Sequence, residues 1–173
     1  MNESPKRKQI RLKDYDYSQN GYYFITICTE SRQTILSDVR RGGVLLRPIG
    51  EIAENEMAEL TKRYKIEINP YIIMPDHIHM IIKINRKTQR AEQSLRAEQS
   101  PAPTTVCDMI CAFKSLTTKI ANKNDNCIGR KIWQRNYYEH IIRDENDYIT
   151  KAKYILNNPL KWELERNKQN ERI

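Results

Sequence analysis

The sequence predicts an α+β domain, an antiparallel sheet carrying helices, with ferredoxin-like or RRM-like character. Three observations lead there. A run dense in aromatic and β-branched residues spans 21–28; two short apolar runs, 71–74 and 77–84, are joined by a tight Pro75-Asp76 turn; and segments with helical periodicity fall between and after the strand-like runs. The order is strand, helix, two strands, helix, strand, helix. At 173 residues the chain is expected to form one domain able to bury roughly two-thirds of its unfolded surface.

The start, Pro5-Lys6-Arg7-Lys8-Gln9-Ile10-Arg11-Leu12-Lys13, is too basic and too poor in apolar residues to pack. Residues 1–16 are therefore expected to be a flexible basic arm. Gly21-Tyr22-Tyr23-Phe24-Ile25-Thr26-Ile27-Cys28 reads as a core strand, and Ile49, Ile52, Ala53, Met57, Leu60 and Tyr64 recur at the spacing of an amphipathic helix of about four turns. Asn69-Pro70 is expected to break the chain before Tyr71-Ile72-Ile73-Met74, and Pro75-Asp76 to turn it into His77-Ile78-His79-Met80-Ile81-Ile82-Lys83-Ile84. Residues 86–103 change character, since Arg90-Ala91-Glu92-Gln93-Ser94 recurs as Arg96-Ala97-Glu98-Gln99-Ser100 before Pro101-Ala102-Pro103. That composition predicts a disordered linker. Thr104 or Thr105 can then cap a helix whose buried stripe is Val106, Met109, Ile110, Phe113, Leu116 and Ile120, leaving Lys114, Lys119 and Lys123 outside it. A last strand lies near 138–143. Asp144 caps a final helix with Asp147 in its first turn, expected to stop at about Asn157 before Pro159, and 165–173 form a short polar tail.

Thirty Lys and Arg against 22 Asp and Glu give a formal charge of +8, which favours a polyanionic partner, nucleic acid first. The four cysteines, Cys28, Cys107, Cys111 and Cys127, lack the paired spacing of a zinc ribbon or redox motif, and no signal peptide precedes them. They are expected to be reduced, mostly buried thiols of a cytoplasmic protein. No apolar run reaches 18 residues and the mean hydropathy is −0.79, which argues against a membrane span.

Two groups of residues can carry chemistry. His77 and His79 alternate along a predicted strand, so both imidazoles project from one face while Ile78, Met80, Ile82 and Ile84 take the other. Two imidazoles so placed can share a divalent cation. The plain alternative is a half-buried pair on a polar sheet face, but the chain has only three histidines and two stand in an otherwise apolar strand. Tyr154 and Asn158 lie four apart on the last predicted helix, so a phenol and an amide can approach one point. A packing tyrosine and an ordinary Asn-Pro helix stop would look the same.

Met74-Pro75-Asp76-His77-Ile78-His79, then Trp133-Gln134-Arg135-Asn136-Tyr137-Tyr138-Glu139-His140-Ile141-Ile142-Arg143-Asp144, then Tyr154-Ile155-Leu156-Asn157-Asn158-Pro159-Leu160-Lys161-Trp162, together resemble the REP-associated tyrosine transposases. These are relatives of the single-tyrosine insertion-sequence transposases. The likeness spans most of 17–164, with the three blocks in the family's order. It implies an HUH endonuclease fold in which His77, His79 and Asn158 bind Mg²⁺ or Mn²⁺ and Tyr154 attacks single-stranded DNA beside a hairpin, giving a 5′-phosphotyrosine. It further implies DNA contacts, for which Lys6, Arg7, Lys8, Arg11, Lys114, Trp133 and Arg135 are candidates through ion pairing and base stacking. His140 is expected to make a structural hydrogen bond. Monomer and homodimer both stay open, with a site completed inside one chain preferred. The main rival is a catalytically silent hairpin-binding module of the same fold. An RRM-like RNA binder would need paired aromatics on its central strands, and the glycine-aromatic signature of the third strand is missing.

Overall fold

The computed structural model describes residues 15–41, 43–85 and 105–170. In chain order the elements are β1 (Gly21–Cys28), β2 (Ser37–Arg40), β3 (Gly43–Leu46), α1 (Pro48–Tyr64), β4 (Glu67–Ile73), β5 (His77–Ile84), α2 (Val106–Asn124), β6 (Tyr138–Ile142) and α3 (Glu145–Asn170). Four strands form one antiparallel sheet in the order β4-β5-β1-β6, and β2 pairs with β3 in a separate hairpin. α1 carries the chain from β1 past β5 to β4, and α2 carries it from β5 past β1 to β6. These are the two split βαβ units of a ferredoxin-like sheet, so the predicted α+β class stands.

The alternation of each strand divides its side chains between two layers. Tyr23, Ile25 and Ile27 of β1, with Ile78, Met80, Ile82 and Ile84 of β5, pack under Met57 and Leu60 of α1 and Ile110 and Phe113 of α2. On the opposite face Phe24, Ile81 and Ile142 pack against Ile155 of α3. Strand β5 is thus covered on both sides, which explains its nearly unbroken apolar run and isolates the two histidines within it. At the start of α1 the backbone passes so close to Leu36 that a Cβ on Gly50 would sit 2.0 Å from the Leu36 carbonyl oxygen. Gly50→Ala should therefore destabilise the fold by about 2 kcal/mol, read as a lower urea midpoint at unchanged m-value.

Several elements depart from the sequence expectation. The β2–β3 hairpin was not anticipated, because strands of four residues such as Ser37–Arg40 are too short to display a period. Strand β4 does not begin after Asn69-Pro70 but runs through it from Glu67. The Asn69-Pro70 peptide is cis, and the pairing with β5 slips between Ile68 and Tyr71. β4 is an edge strand, and a bulge on an edge is where a residue without an N–H fits. In α2 the side chain of Thr105 and that of Asp108 form a reciprocal capping box, while the buried stripe runs through Thr117 and Ala121, leaving Leu116 and Ile120 at its margin.

The largest departure is α3. Asp144 caps it as expected, accepting from the Asp147 N–H at 2.9 Å. The helix then passes through Pro159 to Asn170, so the part of the predicted polar tail up to 170 is helical. A proline inside a helix costs about 3 kcal/mol. Here Ile155, Asn158 and Pro159 are all buried, and their tertiary contacts outweigh that cost. The cysteines are free, but none is buried: Cys28, Cys107 and Cys127 are half-buried and Cys111 is exposed. The basic arm up to residue 14, with Lys6, Arg7, Lys8 and Arg11, and the 86–103 linker lie outside the described residues. No helix among the described residues is long and apolar enough to cross a membrane.

Candidate active site

His77 and His79 project from β5 toward α3, which crosses the same sheet face and carries Tyr154 and, one turn later, Asn158. All four line one cavity of about 530 Å³. The His79 ring stacks on Phe24 at 5.4 Å, meets the His77 ring edgewise at 4.5 Å and the Tyr154 ring edgewise at 5.0 Å. Tyr154 is 42% exposed, whereas Asn158 is buried. A phenol open to solvent therefore leans on a buried imidazole.

The two histidines are held differently. Nδ1 of His79 lies 2.8 Å from Thr26 Oγ1, and its Nε2 is buried without a hydrogen-bond partner. Burial above all, then the neighbouring His77 and the charge of Arg32, push the His79 pKa down to about 3, only partly opposed by Asp76. Its ring is neutral at pH 7. A buried nitrogen left without a partner costs about 1–3 kcal/mol, which a ligand at that atom would recover.

His77 Nδ1 donates to Asp76 Oδ1, leaving Nε2 as its second ring nitrogen. Asp76 Oδ2 in turn is paired with Arg32 Nε at 2.8 Å, and Arg32 Nη1 donates to Cys28 Sγ. Arg32 sits in a short 3-10 turn, Glu30–Arg32, in which Ser31 and Arg32 adopt left-handed φ values of 52° and 57°. Such backbone costs about 1 kcal/mol or more per non-glycine residue. Thr29 anchors the turn, its Oγ1 lying 2.8 Å from Gln33 O and 3.0 Å from Asp76 O. The strained turn presents the guanidinium to Asp76 and to the cavity wall.

Sequence reasoning did not find Thr26, Arg32, Asp76, Lys161 or Trp162, which also line or support the cavity. Asp76 was legible only as a turn residue, yet a turn is what lets it swing back onto its neighbour's ring. Lys161 and Trp162 were out of reach once the helix was ended at Asn157. Their positions follow from the continued helix, which brings the Lys161 ammonium to 5.9 Å from the Tyr154 ring centre and the Trp162 ring to 6.1 Å from His77.

Of the described DNA-contact candidates, none lines this cavity. Trp133 belongs to the core: it packs on Phe113, and its indole N–H donates to Thr117 Oγ1 at 2.7 Å, so its face is not offered to a base. Lys114 turns its ammonium onto the main-chain carbonyls of Gln134 and Arg135, which fixes that loop. Arg135 is exposed. His140 makes a structural contact, Nε2 lying 2.7 Å from Asp147 Oδ2 and tying β6 to the first turn of α3.

The donor set fits a divalent cation in kind. Two imidazoles and an amide are available, one imidazole nitrogen among them buried and unpartnered. Among the described residues no group of three or more His, Cys, Asp or Glu could hold a metal, and beside the two histidines the cavity is lined by the Asn158 amide and the Glu165 carboxylate.

An IS200-like transposase family model matches residues 17–93. An uncharacterised protein of Haemophilus influenzae is 35% identical over 164 residues, covering 91% of this chain and 90% of the relative. The REP-associated tyrosine transposase of Escherichia coli is 23% identical over 146 residues, 84% of this chain and 70% of its own length. Among solved structures, a REP-associated tyrosine transposase bound to a REP hairpin superposes with a TM-score of 0.60 at 19% identity, over 87% of this chain and 73% of that one, a likeness of fold.

Proposed function

Because the chain belongs to the IS200-like, REP-associated tyrosine transposase family, we propose that it cuts and rejoins single-stranded DNA beside a hairpin, with Tyr154 as nucleophile. The observation that carries this reading is the half-exposed Tyr154 phenol against a neutral histidine whose buried Nε2 has no partner.

In the proposed step the Tyr154 phenolic oxygen attacks the scissile phosphorus, forming a tyrosine–phosphorus bond while the bond to the 3′ oxygen breaks. The phenol loses its proton, and the departing 3′ oxygen gains one. The products are a 5′-phosphotyrosine and a free 3′-OH. One phosphodiester replaces another, so a second 3′-OH can reverse the step and join strands without an external energy source. His77, His79 and Asn158 would hold Mg²⁺ or Mn²⁺, which when bound supplies Lewis-acid polarisation of the phosphate. Arg32, with two nitrogens occupied by Asp76 and Cys28, keeps Nη2 for a phosphate oxygen, and Lys161 adds a second cation near the phenol. The packing of α3 on β4 and β5 of its own chain supports a site completed within one chain.

Asp76 acts by fixing which nitrogen of His77 carries the proton. Asp76→Asn should raise the Mn²⁺ concentration needed for half-maximal cleavage by about 10–100-fold, in a metal titration at fixed DNA. The proposal itself is tested by incubating the protein with a labelled hairpin bearing a single-stranded flank, in Mg²⁺, Mn²⁺ or EDTA, and resolving it on a denaturing protein gel. Label that migrates with the protein only when metal is present is the expected result. Tight binding with no adduct in either metal would make the chain a hairpin-binding module instead.

A further inference from the structure

The fold leaves His79 one freedom, the choice of which ring nitrogen carries the proton. The residue is 5% exposed, and its ring is closed in by Phe24 stacked at 5.4 Å and by His77 and Tyr154 edgewise at 4.5 Å and 5.0 Å. A half-turn of the ring would give up the 2.8 Å bond between Nδ1 and Thr26 Oγ1. Its orientation is therefore fixed, with Nε2 buried and without a hydrogen-bond partner. A histidine ligates a cation through Nε2 only with its proton on Nδ1, and the group bonded to Nδ1 sets that choice.

The two candidate ligands differ in what stands at Nδ1. Beside His77 it is the Asp76 carboxylate, which only accepts and so holds a proton on that nitrogen. Beside His79 it is an alcohol, able to accept or to donate. Thr26 sits on an inner strand, opposite His79 on one side and Tyr138 on the other, and its branched side chain has little freedom about χ1, so Oγ1 is held at the ring. The hydroxyl has no second partner among the described residues and lines the cavity, so its hydrogen can turn into open space when the oxygen accepts. Arg32, Lys151 and Lys161 line the same cavity against one carboxylate, Glu165. Even with Asp76 paired to Arg32 the balance is positive, which favours a lone pair over an N–H at Nε2.

We propose that Thr26 is a positioning residue for His79: its Oγ1 accepts from the Nδ1–H and so keeps Nε2 bare for a cation. Valine at this position keeps the branched shape and the preference for a strand but offers no acceptor. The proton then returns to Nε2, its usual place in an unrestrained neutral histidine, and a cation must displace it before binding. The inference rests on the reading of His79 as a ligand, but the proton's place is measurable without metal, DNA or cleavage.

Nitrogen NMR of the full chain with isotope-labelled histidine, in EDTA at neutral pH, reads the tautomer directly. With only three histidines in the chain, the His79 signals are identified by their loss in His79→Ala. The parent and Thr26→Ser should show a protonated Nδ1 and a bare Nε2, and Thr26→Val should show the proton moved largely to Nε2. Mn²⁺ binding, followed through the free-ion electron paramagnetic resonance signal, should weaken by about 10–100-fold in Thr26→Val and stay within about threefold in Thr26→Ser. Circular dichroism melts verify that both variants fold. A parent His79 protonated on Nε2 would overturn the proposal, and that spectrum decides even where the valine variant does not fold. So would an unchanged tautomer and Mn²⁺ affinity in Thr26→Val, or a serine variant as weak as the valine one. Absence of Mn²⁺ binding by the parent would count against the metal reading of the cavity and leave the tautomer result standing.

Discussion

Tyr154→Phe is expected to abolish the covalent protein–DNA adduct, lowering its rate by about 10⁴-fold or more, while leaving hairpin affinity and thermal stability near those of the parent. The ring keeps its edgewise contacts with Phe24 at 6.1 Å and His79 at 5.0 Å, and the Lys161 ammonium stays above it. Only the oxygen goes, and no hydrogen bond to a described residue goes with it. A structural tyrosine would behave oppositely, costing stability and sparing chemistry. If water were the nucleophile, the variant would still nick DNA and release free 5′-phosphate ends. A denaturing gel that follows both adduct and nicked strand separates the two mechanisms: nicking at the parental rate in the variant would remove Tyr154 from the reaction.

The parts of this arrangement legible in the sequence are those set by local pattern. The alternation of His77 and His79 within an apolar strand fixed their common face, and the spacing of Tyr154 and Asn158 fixed theirs. Which face met which followed from the sheet order, reached through the family resemblance as well as the order of elements. The supporting residues were hidden for particular reasons. Arg32 comes from a strained turn 44 residues before Asp76, and nothing local announces that pairing. Thr26 contacts His79 because the two stand opposite each other in the β1–β5 register, a fact of pairing and not of spacing. Pro159 signalled a helix end, and the signal was overridden by burial on the sheet. Trp133 is a base-stacking candidate only through the family resemblance, yet its Nε1–H finds Thr117 inside the core.

His79 is where function and stability pull apart, and its replacement gives the second large effect. His79→Ala should lower metal-dependent adduct formation on the order of 10³-fold, since it removes the imidazole whose Nε2 is available for a ligand. In EDTA the same change should also alter how stability responds to pH. The folded pKa of His79 is depressed to about 3 by burial, then by His77 and Arg32, against 6.5 for a free imidazole. Between those values the unfolded chain takes up a proton that the folded chain refuses, so acid draws the wild type toward unfolding. Stability tied to this residue is present above pH 6.5 and is lost as pH falls toward 3, with a slope approaching about 1.4 kcal/mol per pH unit. The alanine variant loses packing at neutral pH but has no such penalty, and the other titrating groups are common to both proteins. Urea melts of the two proteins from pH 7.5 to 4.5 should therefore converge, with the wild type's advantage shrinking at each step down. Parallel curves would mean that His79 is protonated in the folded state, and a charged imidazole could not offer Nε2 to a metal ion.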